Sequence, residues 1–126
     1  MEFEILEAFV ILLMLFQIKH WYVDFVNQTM AEVNGKAIYG NWLGLRHSIK
    51  HGLATIVCVL LVCGYEYWFF ALIIGILDFA THYHIDWTKM NYGNRDIQNP
   101  KFWNHLGLDQ MMHQLIYIVL AYLVVV

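Results

Sequence analysis

The chain has 126 residues, of which 60% are hydrophobic, 17% aromatic and only 13% charged, and its mean hydropathy is +0.52. A soluble chain would carry about 25% charged residues to cover its outside, so this composition predicts an integral membrane protein with no soluble domain. The formal net charge of −3, without a basic arm, helix-turn-helix, zinc-finger or RNA-binding signature, argues against a nucleic-acid partner.

The first apolar stretch runs from about Phe3 to Asn27. It carries Glu2, Glu4 and Glu7 where a signal peptide has a basic region, and it closes on His20, Trp21 and Asp24 without a small-residue cleavage site. It is therefore expected to stay in the mature protein. A Gly-rich, charged loop from Gln28 to Gly44 leads to a second stretch, about Leu45 to Gly64. Its two cysteines, Cys58 and Cys63, fit neither a disulfide framework nor a zinc pair, and read as core or lipid-facing residues. A tight connection at Gly64, Tyr65 and Glu66 makes the third stretch, about Tyr67 to Met90, an antiparallel neighbour. A second long loop, Asn91 to Trp103 with Gly93 and Pro100, leads to the fourth, about Asn104 to Val125.

Each stretch is near the ~20 residues that a bilayer-crossing helix needs. The expectation is a single all-α domain over residues 1–126, an integral-membrane, up-down-up-down four-helix bundle with both long loops on one face. Lys19, Lys36, Arg46, Lys50, Lys89, Arg95 and Lys101 all fall at the loop face, which puts the loops in the cytoplasm and both termini outside. Trp21, Trp42, Trp87 and Trp103 near that face, and Tyr65, Tyr67 and Trp68 near the other, are placed as interfacial aromatic belts.

Polar residues at membrane depth are expensive and mark function by default. Here they come in pairs: His20-x3-Asp24 ends the first helix, His47-x3-His51 begins the second, Asp78-x3-His82-x3-Asp86 ends the third and Asp109-x3-His113 begins the fourth. Residues four apart project from one helix face. In an up-down bundle all four pairs reach one depth and can converge.

Imidazole and carboxylate are ligands for zinc, iron and manganese, and bundles build metal sites from facing helices. The expected ligands are His20, Asp24, His47, His51, His82, Asp86, Asp109 and His113, with zinc the expected metal. Asp24, Asp78, Asp86 and Asp109 bring four negative charges inside, which two divalent ions would neutralise. Asp78, the deepest acid, reads either as a ligand or as a group that orients a histidine. Lys89 reads as a snorkelling anchor or as a catalytic group. His84 should face away from His82, and His105 could extend the Asp109 stripe. A proton or ion pathway and a structural polar network are the competing readings of the same residues.

The ordered set His20-x3-Asp24-Phe25-x2-Gln28, Lys36, His47-x3-His51, His82-x2-Ile85-Asp86-x2-Lys89 and Asp109-Gln110-x2-His113 resembles a phage and bacterial membrane family catalogued as domain of unknown function 3307. The resemblance spans nearly the whole chain. A looser likeness to membrane-bound proteins labelled metal-dependent hydrolases raises the enzyme reading, and the phage association implies a bacterial inner membrane.

Three functions are compatible with this reading. The first is a metal-dependent hydrolase acting on a lipid or isoprenoid phosphate at the cytoplasmic interface, with Asp78 and Lys89 as catalytic groups and Lys89 or Arg46 near the anionic substrate. The second is a non-catalytic phage accessory protein with a structural metal site. The third is a proton or metal-ion transporter, which the apolar far halves Ala8 to Phe16, Ala54 to Val62 and Tyr117 to Val125 disfavour. Membrane lipids are the expected partners, and a second copy of the chain or a host membrane protein is compatible.

Overall fold

Long apolar runs with no interior proline become helices where the flanking residues can satisfy the free backbone groups at each end. The computed structural model describes residues 2–126 and is helical, with no strand among the described residues. Helix α1 (Glu2–Trp21) widens into a π turn at Tyr22–Val26, closed by the Asn27 N–H donating to the Tyr22 carbonyl at 2.8 Å. The first long loop holds a short helix, α2 (Met30–Gly35), whose Thr29 and Glu32 satisfy each other's backbone N–H in a capping box.

Asn41 caps α3 (Trp42–Cys63) by accepting the Leu43 N–H. Gly64, at φ +97°, and a single 3-10 turn at Tyr65–Tyr67 reverse the chain into α4 (Trp68–Tyr92). Asn99 caps α5 (Pro100–Val125), where Pro100 takes the first helical position. Its missing N–H costs nothing there, so a residue expected to mark the loop instead starts the helix.

Four of these helical stretches are long and apolar enough to cross a membrane: Glu4–Val26, Trp42–Cys63, Tyr65–Tyr92 and Pro100–Val125. Helix α1 packs against α3 and α5, and α4 packs against the same two, closing a ring. The interior has two halves. One is an apolar core of Leu12, Phe16, Cys58, Val59, Ala71, Ile74, Tyr117, Leu120 and Ala121. The other holds the buried histidines and aspartates. Large apolar side chains such as Val10, Met14, Ile18, Leu61, Ile118 and Val119 face outward, as a lipid-facing surface requires.

Helices α3 and α4 cross at a pair of glycines. A Cβ on Gly52 would lie 2.7 Å from the Gly75 carbonyl oxygen, and one on Gly75 would lie 2.5 Å from Ile56 Cγ1 and 2.8 Å from the Gly52 carbonyl oxygen. Small residues permit such close backbone approach in membranes. Gly75→Ala should therefore destabilise by about 1–3 kcal/mol through overpacking. Gly107→Ala, where a Cβ meets nothing within 4 Å, should stabilise by up to about 1 kcal/mol through helix propensity. Detergent-unfolding midpoints of the two variants check this, and a stabilising Gly75→Ala would contradict the close crossing.

Candidate metal centre

The centre is assembled from four helices. The C-terminal part of α1 with its π turn brings His20 and Asp24, the first half of α3 brings His47 and His51, the second half of α4 brings His82 and Asp86, and α5 brings Asp109 and His113 from more than two turns inside its start. All eight are buried. The π turn carries Asp24, and wide turns of this kind often mark functional positions.

Two buried groups are close enough to share an ion. In the first, Asp24, His47, His51 and His82 present ligand atoms that all lie within 4.8 Å of one another. The Asp24 Oδ1 atom is 2.9 Å from His47 Nε2, 2.8 Å from His51 Nε2 and 3.5 Å from His82 Nε2. Ligand atoms on a tetrahedral zinc with ~2.1 Å bonds stand about 3.4 Å apart; the His82 distance matches that spacing, whereas the His47 and His51 contacts are hydrogen bonds to Asp24 that would have to open by about half an ångström around an ion. The second group is His82, Asp86 and His113. Here His82 Nε2 is 3.2 Å from Asp86 Oδ2, and His113 Nε2 is 3.3 Å from Asp86 Oδ1. The rings of His51, His82 and His113 form a stack, with centroids 3.5 and 4.1 Å apart. Among the described residues, neither ring nitrogen of His82 has a hydrogen-bond partner. A buried imidazole left unpaired costs free energy, and a bound ion would relieve it.

His20 and Asp109 stand one contact outside these groups. His20 Nε2 faces the Gln110 Oε1 acceptor at 2.9 Å, and its Nδ1 faces the Tyr117 hydroxyl at 2.8 Å. Both nitrogens are thereby engaged, although Asp24 Oδ2 is 3.3 Å from Nε2. Asp109 accepts from Lys89 at 3.0 Å and lies 3.3 Å from His113. Asp78 is held by Lys19 and by the Thr55 hydroxyl, and Lys19 also lies 3.3 Å from His51 Nδ1. Its link to the histidines therefore runs through a lysine.

These contacts correct the charge argument. Lysines placed at the loop face by the positive-inside pattern turn inward instead: Lys19 pairs with Asp78, Lys36 with Asp86 at 2.8 Å and Lys89 with Asp109. Three of the four aspartates thus have an ammonium partner, and their charge no longer calls for two divalent ions. Asp24 differs, since its close partners among the described residues are imidazoles.

His84 is exposed as expected, bonded to Tyr39 and to the Ala80 carbonyl. His105 lines the same groove as Asp109, and its Nδ1 accepts the Asn94 N–H at 2.7 Å, which fastens the second loop. Cys58 is buried in the apolar core and Cys63 is half-buried, both unpaired. Glu32 escaped the sequence reading, although Thr29-x2-Glu32 is a legible capping box. It is fully buried and takes Arg46 and Lys50 of α3 at 2.9 and 2.7 Å.

Residues 12–126 match the family described as "Protein of unknown function (DUF3307)". The chain belongs to that family. No curated protein and no solved structure matches it. Family membership carries no assigned activity, and the buried groups of this chain could hold a metal ion.

Glu32 lies outside the long helices and offers a pH test. Burial alone would raise its carboxyl, but the Lys50 ammonium, the Thr29 N–H and Arg46 outweigh it and push it down to about 2 from an ordinary 4.5. A depressed folded value means that the stabilisation is complete above the ordinary value and disappears as pH falls toward the folded one. Thermal stability should decline as pH drops below about 4.5. Glu32→Gln should be less stable at neutral pH and show a shallower decline, and an unchanged acid slope would remove Glu32 from the account.

Proposed function

We propose that this is an intramembrane zinc protein whose centre serves a metal-dependent hydrolase acting on an amphiphilic phosphate ester. The observation that carries the metal reading is the Asp24 carboxylate oxygen ringed by three imidazole nitrogens, with no ammonium group paired to it among the described residues. Three imidazoles and one carboxylate are a zinc donor set. We assign one ion to Asp24, His47, His51 and His82. His20, Asp86, Asp109 and His113, expected as further ligands, form the surrounding polar layer in this reading.

A bound divalent ion would supply Lewis acidity to an attacking water and to the phosphoryl oxygens. The chain's own part is to bind, orient and hold protons. A groove of about 380 Å³ between α4 and α5 is lined by Ile85, Tyr92, Leu108 and Met112 together with Lys89 and Asp109. Its apolar wall suits an acyl or isoprenoid chain, and the Lys89 ammonium suits a phosphate. Asp109, in the groove wall, touches His113, which touches Asp86, so a polar row leads from the groove toward the centre. Asp78 acts through Lys19 to orient His51.

The helices run alternately up and down across a bacterial inner membrane, with the long loops cytoplasmic, in the reading that the basic residues support. A second function, a non-catalytic accessory protein with a structural ion, draws support from one observation: the Asp24 group offers four buried protein donors, as closed structural sites do.

Protein purified in mild detergent without chelator should contain about one zinc per chain by elemental analysis. His51→Ala should lose most of the metal, whereas His84→Ala should keep it. The loaded protein should release phosphate from a lipid monophosphate, stop on chelation and recover with zinc. Lys89→Met should raise KM about tenfold, the effect of one charge-assisted hydrogen bond. Metal-free but folded protein would end the metal reading; metal-loaded protein inert toward lipid mono- and diphosphates would leave the structural ion in its place. For orientation, Asn34→Cys and Gln98→Cys should be labelled from the cytoplasm and Tyr65→Cys from outside, and the reverse pattern would invert the topology.

A further inference from the structure

An amide side chain in the hydrocarbon of a bilayer has no water to bond, so every donor and acceptor it leaves open costs free energy. Gln17 and Gln114 are in that position. Gln17 lies near the middle of the span Glu4–Val26, and Gln114 near the middle of Pro100–Val125. Gln17 is exposed and Gln114 half-buried, on the outer surface where α1 and α5 meet. Exposed apolar residues share their helix faces: Val10, Met14 and Trp21 with Gln17, and Met111 and Ile118 with Gln114.

The two amides bond each other, with Gln17 Nε2 donating to Gln114 Oε1. That bond uses the acceptor of one and the donor of the other. Among the described residues nothing engages Gln17 Oε1 or Gln114 Nε2. Thr81 and Thr88, also on the outside of a span, differ in returning their hydroxyls to carbonyls of their own helix. What is left over at the α1–α5 edge is one acceptor and one donor, held at one depth by the bond between them.

We propose that this chain forms a two-fold dimer through α1 and α5, closed by a ring of four amides in which Gln114 Nε2 of each copy donates to Gln17 Oε1 of the other. Symmetry produces this pairing. Copies inserted by the same charge rule share one orientation, so a two-fold axis between them runs along the membrane normal. Such an axis preserves depth and sets α1 of one copy against α5 of the other. The left-over acceptor therefore meets the left-over donor, twice. Interhelical hydrogen bonds drive association in lipid, where apolar contact gives no hydrophobic gain. The interface is independent of the metal and leaves the groove between α4 and α5 uncovered.

Sedimentation equilibrium of the full chain in density-matched mild detergent tests the association, with helical circular dichroism and the unfolding midpoint reporting the fold. Wild type should dimerise reversibly. Gln17→Leu and Gln114→Leu should each raise the dissociation constant about tenfold, since either removes both bonds between copies. The double variant should be little weaker than either single one, and Thr81→Val should dimerise like wild type. Wild type that stays monomeric at high protein-to-detergent ratio overturns the proposal, and so do folded leucine variants that associate as tightly as wild type. Should both leucine variants fail to fold, crosslinking with the amides intact decides the matter. In native membrane vesicles, on a Cys63→Ala background, a short bismaleimide should join a Met14→Cys copy to an Ile118→Cys copy. It should not join Val57→Cys to Ile73→Cys copies, which expose their cysteines on the opposite edge, at α3 and α4. The reverse pattern, or no crosslink between copies, overturns the interface.

Discussion

A carboxylate moved from water into a membrane-embedded bundle loses hydration worth several kcal/mol and persists as an anion only beside compensating charge or hydrogen-bond donors. This chain moves four such groups inside. Asp78, Asp86 and Asp109 each take a lysine, and Asp24 takes a ring of imidazoles. Much of the geometry at the loop end follows from that requirement. Lys19 comes from the helix that also carries His20, Lys36 must travel in from a loop, and Lys89 reaches across from α4 to α5. Removing one partner of such a pair leaves an uncompensated buried charge, which is far costlier than losing a surface contact. Lysine partners also divide the site electrically, confining the strongest attraction for an added cation to the Asp24 side.

Backbone devices place these charges. The π turn at Tyr22–Val26 lies at the end of α1 and carries Asp24 to the first imidazoles of α3. The Gly52–Gly75 contact, beside His51 on α3 and about two turns from His82 on α4, brings the two helices close, and His51 and His82 stack at 3.5 Å. Asn99 and Pro100 start α5 early, so that Asp109 and His113 lie well inside a regular helix. Each device is local, yet together they bring side chains from four segments into one layer.

The helices and the histidine layer were legible because both rest on period and depth. Apolar runs of bilayer length read directly as spans, and pairs four apart read as one-faced. The i, i+4 rule located His47, His51, His82, Asp86 and His113, which the fold does bring together. At His20 the spacing to Asp24 says nothing of the Gln110 and Tyr117 acceptor and donor that come from α5. The lysines were misread for a related reason. Position along the chain tells that Lys19 and Lys36 lie near one end of the bundle, whereas their inward rotation is set by carboxylates far away in sequence. Glu32 was open to reading from its capping box, but its second role, binding Arg46 and Lys50, depends on how α2 folds back on α3.

The dry half of the interior has an electrical consequence. Leu12, Phe16, Val59, Ile74, Leu120 and Ala121 are packed with almost no exposure, an apolar layer that offers a file of water no polar partners along this part of the bundle. In a polarised bilayer most of the voltage would then drop across this insulating segment. The histidine layer would sit close to the potential of the bulk phase beside its loops. Its cation occupancy would follow concentration in that compartment and be nearly blind to membrane voltage, and the charged interior would add no leak to an energised membrane.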